Sequence, residues 1–119
     1  MRSDNIIQQK TLDFGLRIIN LYKYLIKEHQ EYVLSRQILK SGTSIGANVE
    51  ESIGAQSKPD FLTKLTIAYK EARETIYWLK LLVAAEYITK EMFDSLYNDT
   101  EEICKIIGKI QISLKKGNS

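Results

Sequence analysis

From Leu62 to Val83 the chain returns an apolar or small side chain at alternating steps of three and four, through Leu62, Leu65, Tyr69, Ala72, Ile76, Leu79 and Val83. That spacing keeps to one face of an α-helix, whereas a strand changes face at every residue. The start of the segment is marked as well. Ser57 is placed to cap the first free N–H groups, Pro59 falls where no N–H is needed, and the Asp60 carboxylate meets the positive end of the helix dipole. A chain carrying such a helix has to bury its stripe against other helices.

Three more segments supply them, and helices are predicted near residues 4–28, 33–55, 58–86 and 89–115. In the first, Ile7, Phe14, Ile18, Leu21 and Leu25 make the stripe, widened by Ile19, Tyr22 and Ile26. In the fourth, after a Thr89 cap, it reads Phe93, Leu96, Ile103, Ile107, Ile110 and Leu114, with Thr100 in the remaining slot. Short connections turn consecutive helices back on one another. The expectation is an all-α, antiparallel up-down-up-down four-helix bundle, one domain over residues 1–119. Helices of this length run to ~40 Å, so the bundle should be a rod.

Charge and composition narrow the function. A formal net charge of +2 is too small to mark a nucleic-acid binder, so the placement of charges has to decide. Cys104 is the only cysteine, which excludes an internal disulfide and a cysteine-based metal cluster and suits a reducing compartment. The first residues contain no apolar run followed by a cleavage site, and the most apolar stretch, Ile76 to Ala85, is interrupted by Lys80 and far short of the ~20 residues that cross a bilayer. A cytoplasmic protein without membrane contact is expected.

Catalytic groups are missing too. Glu51 lacks the Glu-x-x-His pairs of carboxylate metal bundles, because the sole histidine, His29, falls in an expected loop and reads as a solvated residue. There is no haem motif, glycine-rich phosphate loop or Ser-His-acid set. The chain is therefore expected to be no enzyme and to take no metal, cofactor or small-molecule substrate.

The second helix is unusual. Its apolar stripe, Leu34, Ile38, Ile45 and Val49, has Gly42 in its gap, and a small polar stripe runs beside it through Ser41, Ser44, Asn48, Glu51 and Ala55. Each interior glycine costs about 1 kcal/mol against alanine, so packing has to hold this helix. Small residues admit a close neighbour, and Ser44 and Asn48 are placed to bond across the contact. The third helix is apolar on nearly all sides from Ile76 to Ala85, and Trp78, Leu81 and Ala85 form a stripe apart from its core stripe. Ser41, Ser44, Asn48, Glu51, Trp78, Leu81 and Ala85 are the expected oligomer interface, two unlike surfaces whose pairing closes into a ring. The competing reading buries Trp78 and Leu81 at the shoulder of a wide intrachain core.

Lys70, Arg73 and Lys80 flank Tyr77 on one face of the third helix, and after Glu102 the chain carries Lys105, Lys109, Lys115 and Lys116 with no acid. Repeated round a ring, Lys70, Arg73, Lys80, Lys105 and Lys109 would neutralise phosphates without reading bases, which makes RNA the candidate partner. Against this, a Lys/Arg stripe is commonly the solvated face, Glu71 and Glu74 stand close enough to pair it, and one aromatic residue offers little stacking.

The run Leu34-Ser35-Arg36-Gln37-Ile38-Leu39-Lys40-Ser41-Gly42-Thr43-Ser44-Ile45-Gly46-Ala47-Asn48-Val49-Glu50-Glu51 resembles the signature of the bacterial four-helix bundle proteins named after intervening sequences of 23S ribosomal RNA genes. The likeness continues through Phe61, Lys64-Leu65, Ala68, Lys70 to Thr75, Tyr77 to Leu79 and Leu81-Leu82. The resemblance implies an up-down bundle assembled into a ring, commonly of five subunits, without known catalytic activity. A related member, the accessory protein of diversity-generating retroelements, looks like a basic pentameric barrel that engages nucleic acid. This chain departs from it in its weak net charge.

Overall fold

The computed structural model describes residues 2–117, with side chains from Ile6 onward. Four helices make up its regular structure: α1 (Arg2–His29), α2 (Leu34–Ile53), α3 (Lys58–Ala84) and α4 (Lys90–Gly117). Each has local causes. Ser57 Oγ accepts a hydrogen bond from Asp60 N at 3.2 Å at the head of α3, and Thr89 Oγ1 accepts one from Met92 N at 3.1 Å at the head of α4.

Helix α3 stops two residues before the sequence range because Glu86 turns left-handed, with φ of 67°. Tyr87 N then bonds Leu82 O at 2.9 Å and Glu86 N bonds Val83 O at 3.1 Å, closing the carbonyls that a helix end leaves open. Gln30, at φ 48°, turns the chain out of α1 in the same sense.

The helices neighbour one another in a closed cycle, α1 beside α2, α2 beside α3, α3 beside α4 and α4 beside α1. The α2–α3 seam is the most extensive and the α1–α4 seam the least. Contacts pair early residues of one helix with late residues of the next. Gln8 bonds Glu50, Thr11 lies against Gly46 and Ile18 against Gly42; Lys64 bonds Glu51 and Thr75 meets Ser41; Arg73 bonds Glu101 and Gln111 bonds Thr66. The body measures 50 × 22 × 19 Å.

The core runs the length of this rod. Phe14, Ile18 and Leu25 from α1, Ile38, Ile45 and Val49 from α2, Leu65, Leu79 and Leu82 from α3 and Ile103 and Ile107 from α4 are all fully enclosed. Each such side chain contributes about 1.5–3 kcal/mol on burial. The stripes read from sequence are the ones that face inward, and the α2 glycines let α1 approach. A Cβ at Gly42 would stand 2.7 Å from Ile18 Cγ1, and one at Gly46 would stand 3.3 Å from Thr11 O.

Candidate nucleic-acid and subunit interfaces

Lys70 and Lys80 on α3 and Lys105 and Lys109 on α4 are exposed, and none of them joins a salt bridge among the described residues. They occupy adjacent helices. Lys70 lies between Thr66 and Arg73, whose partners Gln111 and Glu101 bracket Lys105 and Lys109, so these three lysines stand at one level of the rod. Arg73 is the exception in charge. Its Nη1 donates to Glu101 Oε1 at 3.1 Å, which neutralises it within the chain while leaving it half exposed.

The acids suspected of pairing the stripe do other things. Glu74 accepts a hydrogen bond from Trp78 Nε1 at 3.1 Å. Glu71 is half-buried, and burial, followed by repulsion from Glu74, pushes its carboxyl above the usual range while Lys40 pulls the other way. Tyr77, 55% exposed, lies between Lys70 and Lys80 in α3 and sets its ring at 5.2 Å from that of Trp78.

The expected oligomer residues separate into distinct environments. Ser41 is enclosed within the α2–α3 seam, its hydroxyl 2.9 Å from that of Thr75, and so does not reach the surface of a subunit. The small side chain serves the chain's own close helix pair. Ser44 is half-buried, and Asn48 Nδ2 donates to Ser44 O at 2.9 Å within α2. Glu51 is exposed and bonds Lys64 Nζ at 2.8 Å, and this hydrogen bond pushes the Lys64 ammonium pKa upward. Trp78 is half-buried against the core and Leu81 is half-buried beside it, while Ala85 is exposed at the end of α3. The Trp78 indole packs on the core with one side and keeps part of its surface exposed, and its N–H has an acceptor in Glu74.

A row of exposed apolar side chains runs along α1. Leu12 is 61% exposed, Leu16 56% and Ile19 37%. With Gly15 and with Thr43, Gly46, Ala47 and Glu50 of α2 they line an open groove of about 270 Å³. The row is visible in the sequence as steps of four and three, but it borders the core stripe, and Ile19, expected to widen that stripe, faces outward with it.

His29 closes α1 rather than sitting in a solvated loop. Its ring is held edge-on by Tyr24 and Tyr87, each at 5.5 Å. Cys104 is buried, and burial pushes its thiol up despite the Arg73 guanidinium nearby. Among the described residues no group of three or more His, Cys, Asp or Glu side chains comes together, and no helix is long and apolar enough to cross a membrane.

The fold and these surfaces define a helical-bundle protein with two outward faces, one basic across α3 and α4 and one apolar between α1 and α2. The chain belongs to the 23S rRNA-intervening sequence protein family, whose model matches residues 3–109. It is similar to a crystal structure of a protein of unknown function from the S23 ribosomal protein family of Bacteroides thetaiotaomicron VPI-5482. The two share 54% sequence identity at a TM-score of 0.91, over 92% of this chain and 97% of that one. No curated protein matches the chain.

Proposed function

We propose that this protein is a non-catalytic, cytoplasmic binding module whose antiparallel bundle works as a homo-oligomeric ring, and that its basic face holds RNA or a ribonucleoprotein. The observation that carries the RNA reading is the set of exposed lysines on α3 and α4, Lys70, Lys80, Lys105 and Lys109, which no carboxylate of the described chain neutralises. Phosphates are the natural counter-charge for such a set, and repetition round a ring multiplies a weak face into a strong one. Arg73 stands at its edge and becomes available where phosphate replaces Glu101. The pairing of early with late residues along each seam supports the up-down order, and five subunits is the number that the family resemblance implies.

The test is binding of a structured RNA hairpin across a salt series. Reversal of Lys70, Arg73, Lys80, Lys105 and Lys109 to Glu should abolish binding, and each phosphate contact removed singly should lower the salt slope by about one. Unchanged affinity in the fivefold variant would end this reading. The net charge of +2 favours a second one, a scaffold ring for a protein partner. It requires no salt-sensitive RNA retention and a reproducible protein captured on the wild-type chain.

A further inference from the structure

Helix α4 carries a glycine in its interior that its own chain does not explain. Glycine is among the poorest residues for a helix interior, and Gly42 and Gly46 are accounted for by α1, which a Cβ at either position would crowd. A Cβ at Gly108 would meet nothing within 4 Å, nor would one at Gly15. These two open positions have different surroundings. Gly15 stands in the apolar groove with Leu12, Leu16 and Ile19. Gly108 falls between Lys105 and Lys109, within ~5 Å of both along the helix axis.

The bare position borders the seam with α3. Thr66 bonds Gln111 and Arg73 bonds Glu101, and within that bracket Lys70 of α3 stands level with Lys105, Gly108 and Lys109 of α4. Gly108 is half-buried, while the three lysines are exposed and join no salt bridge among the described residues. The outer surface therefore has a gap one side chain wide, with lysines of both helices beside it.

We propose that RNA crosses the α3–α4 seam at Gly108, its phosphodiester backbone seated against the bare helix and its charge shared by Lys70, Lys105 and Lys109. This rests on the RNA reading above and fixes where, and how closely, the strand approaches. The occupant follows from shape as well as charge. A nucleic-acid strand carries its phosphates on the backbone itself, so its closest approach is set by what projects from the helix, and a missing Cβ brings phosphate nearer to all three cations. An acidic protein segment holds its carboxylates at the ends of flexible side chains, which reach lysines without such a gap.

A glycine kept for an approaching strand has a signature that a structural glycine lacks: filling it strengthens the fold and weakens binding. Gly108→Ala and Gly108→Leu leave the charge unchanged, and each should raise the melting temperature, because the helix gains and no neighbour is struck. Affinity for the structured RNA hairpin should fall in order of size, about threefold for Gly108→Ala and about tenfold for Gly108→Leu, at constant particle mass by light scattering. Equal affinity of Gly108→Leu and wild type, with the fivefold charge reversal still abolishing binding, would overturn this inference and leave the RNA reading standing. Failure of the wild-type chain to bind the hairpin would overturn both. A changed particle mass or a lowered melting temperature in Gly108→Ala would also overturn the inference, since the glycine would then serve the contact between subunits or the fold.

Discussion

Gly42 and Ile18 occupy one another's space: a Cβ on Gly42 would lie 2.7 Å from Ile18 Cγ1 and 2.9 Å from Cγ2. Ile18 is fully buried and branched at its β-carbon, so it has few ways to yield. Gly42→Ala sets a helix gain of about 1 kcal/mol against overpacking of about 1–3 kcal/mol. The expected outcome in chemical denaturation is a net loss. In an Ile18→Ala background, which removes both γ-carbons, the same substitution should cost less, and a stabilised Gly42→Ala in the wild-type chain would show that α1 retreats freely.

The Ser41 and Thr75 hydroxyls lie 2.9 Å apart in the α2–α3 seam, and Thr75 Oγ1 also reaches Glu71 O at 2.8 Å. Thr75→Val keeps the shape and strands the Ser41 hydroxyl, at a cost of about 1–3 kcal/mol. Ser41→Ala added to it should return much of that loss. A double-mutant cycle measures the coupling, and additive effects would argue against the bond.

Glu71 gives a pH signature. Its carboxyl is pushed up by burial, so folding disfavours the charged form. The chain is favoured with Glu71 protonated, and this contribution fades as pH rises through the elevated value. Glu71→Gln should therefore raise the melting temperature at neutral pH and bring no gain in acid. Melts at both pH values check the sign.

Glu86 holds a left-handed conformation at φ 67° in the turn that ends α3. A side chain there costs about 1–2 kcal/mol that glycine avoids, reduced by glycine's greater freedom when unfolded. Glu86→Gly should thus raise stability modestly. A fall would mean that the carboxylate makes a contact worth more than the backbone strain.

How far the chain could be read in advance depended on what each residue type reports. Stripes such as Leu65, Ala72 and Leu79 are legible because inward packing repeats with the helical turn, and Ser57 and Thr89 are legible as caps because their hydroxyls substitute for missing backbone acceptors. The end of α3 was not, since Glu86 rather than a glycine takes the left-handed position. The small stripe of α2 shows that something comes close without saying whose helix it is, and Ser41 faces α3 of its own chain. Trp78 is ambiguous for a related reason, because a large ring can pack partly on its own core and still leave surface for a neighbour. Leu12 and Leu16 carry no distinct signal, because an outward apolar row beside a core row resembles its margin.

The seam between the first and last helices is the least extensive of the four, and two ion pairs lie across it. Arg17 reaches Asp99 at 2.7 Å and Ser95 at 2.8 Å, Lys10 reaches Glu102 at 3.1 Å, and an open cleft beside Leu21 and Met92 interrupts the packing. Charged latches over a thin apolar seal weaken as ions screen them, whereas the α2–α3 spine, with its single exposed pair among the described residues, Lys64 and Glu51, and its more extensive packing, depends on them less. The bundle is therefore built to part along one line, and breathing motions that expose its interior should begin where the two outer helices meet and grow with ionic strength.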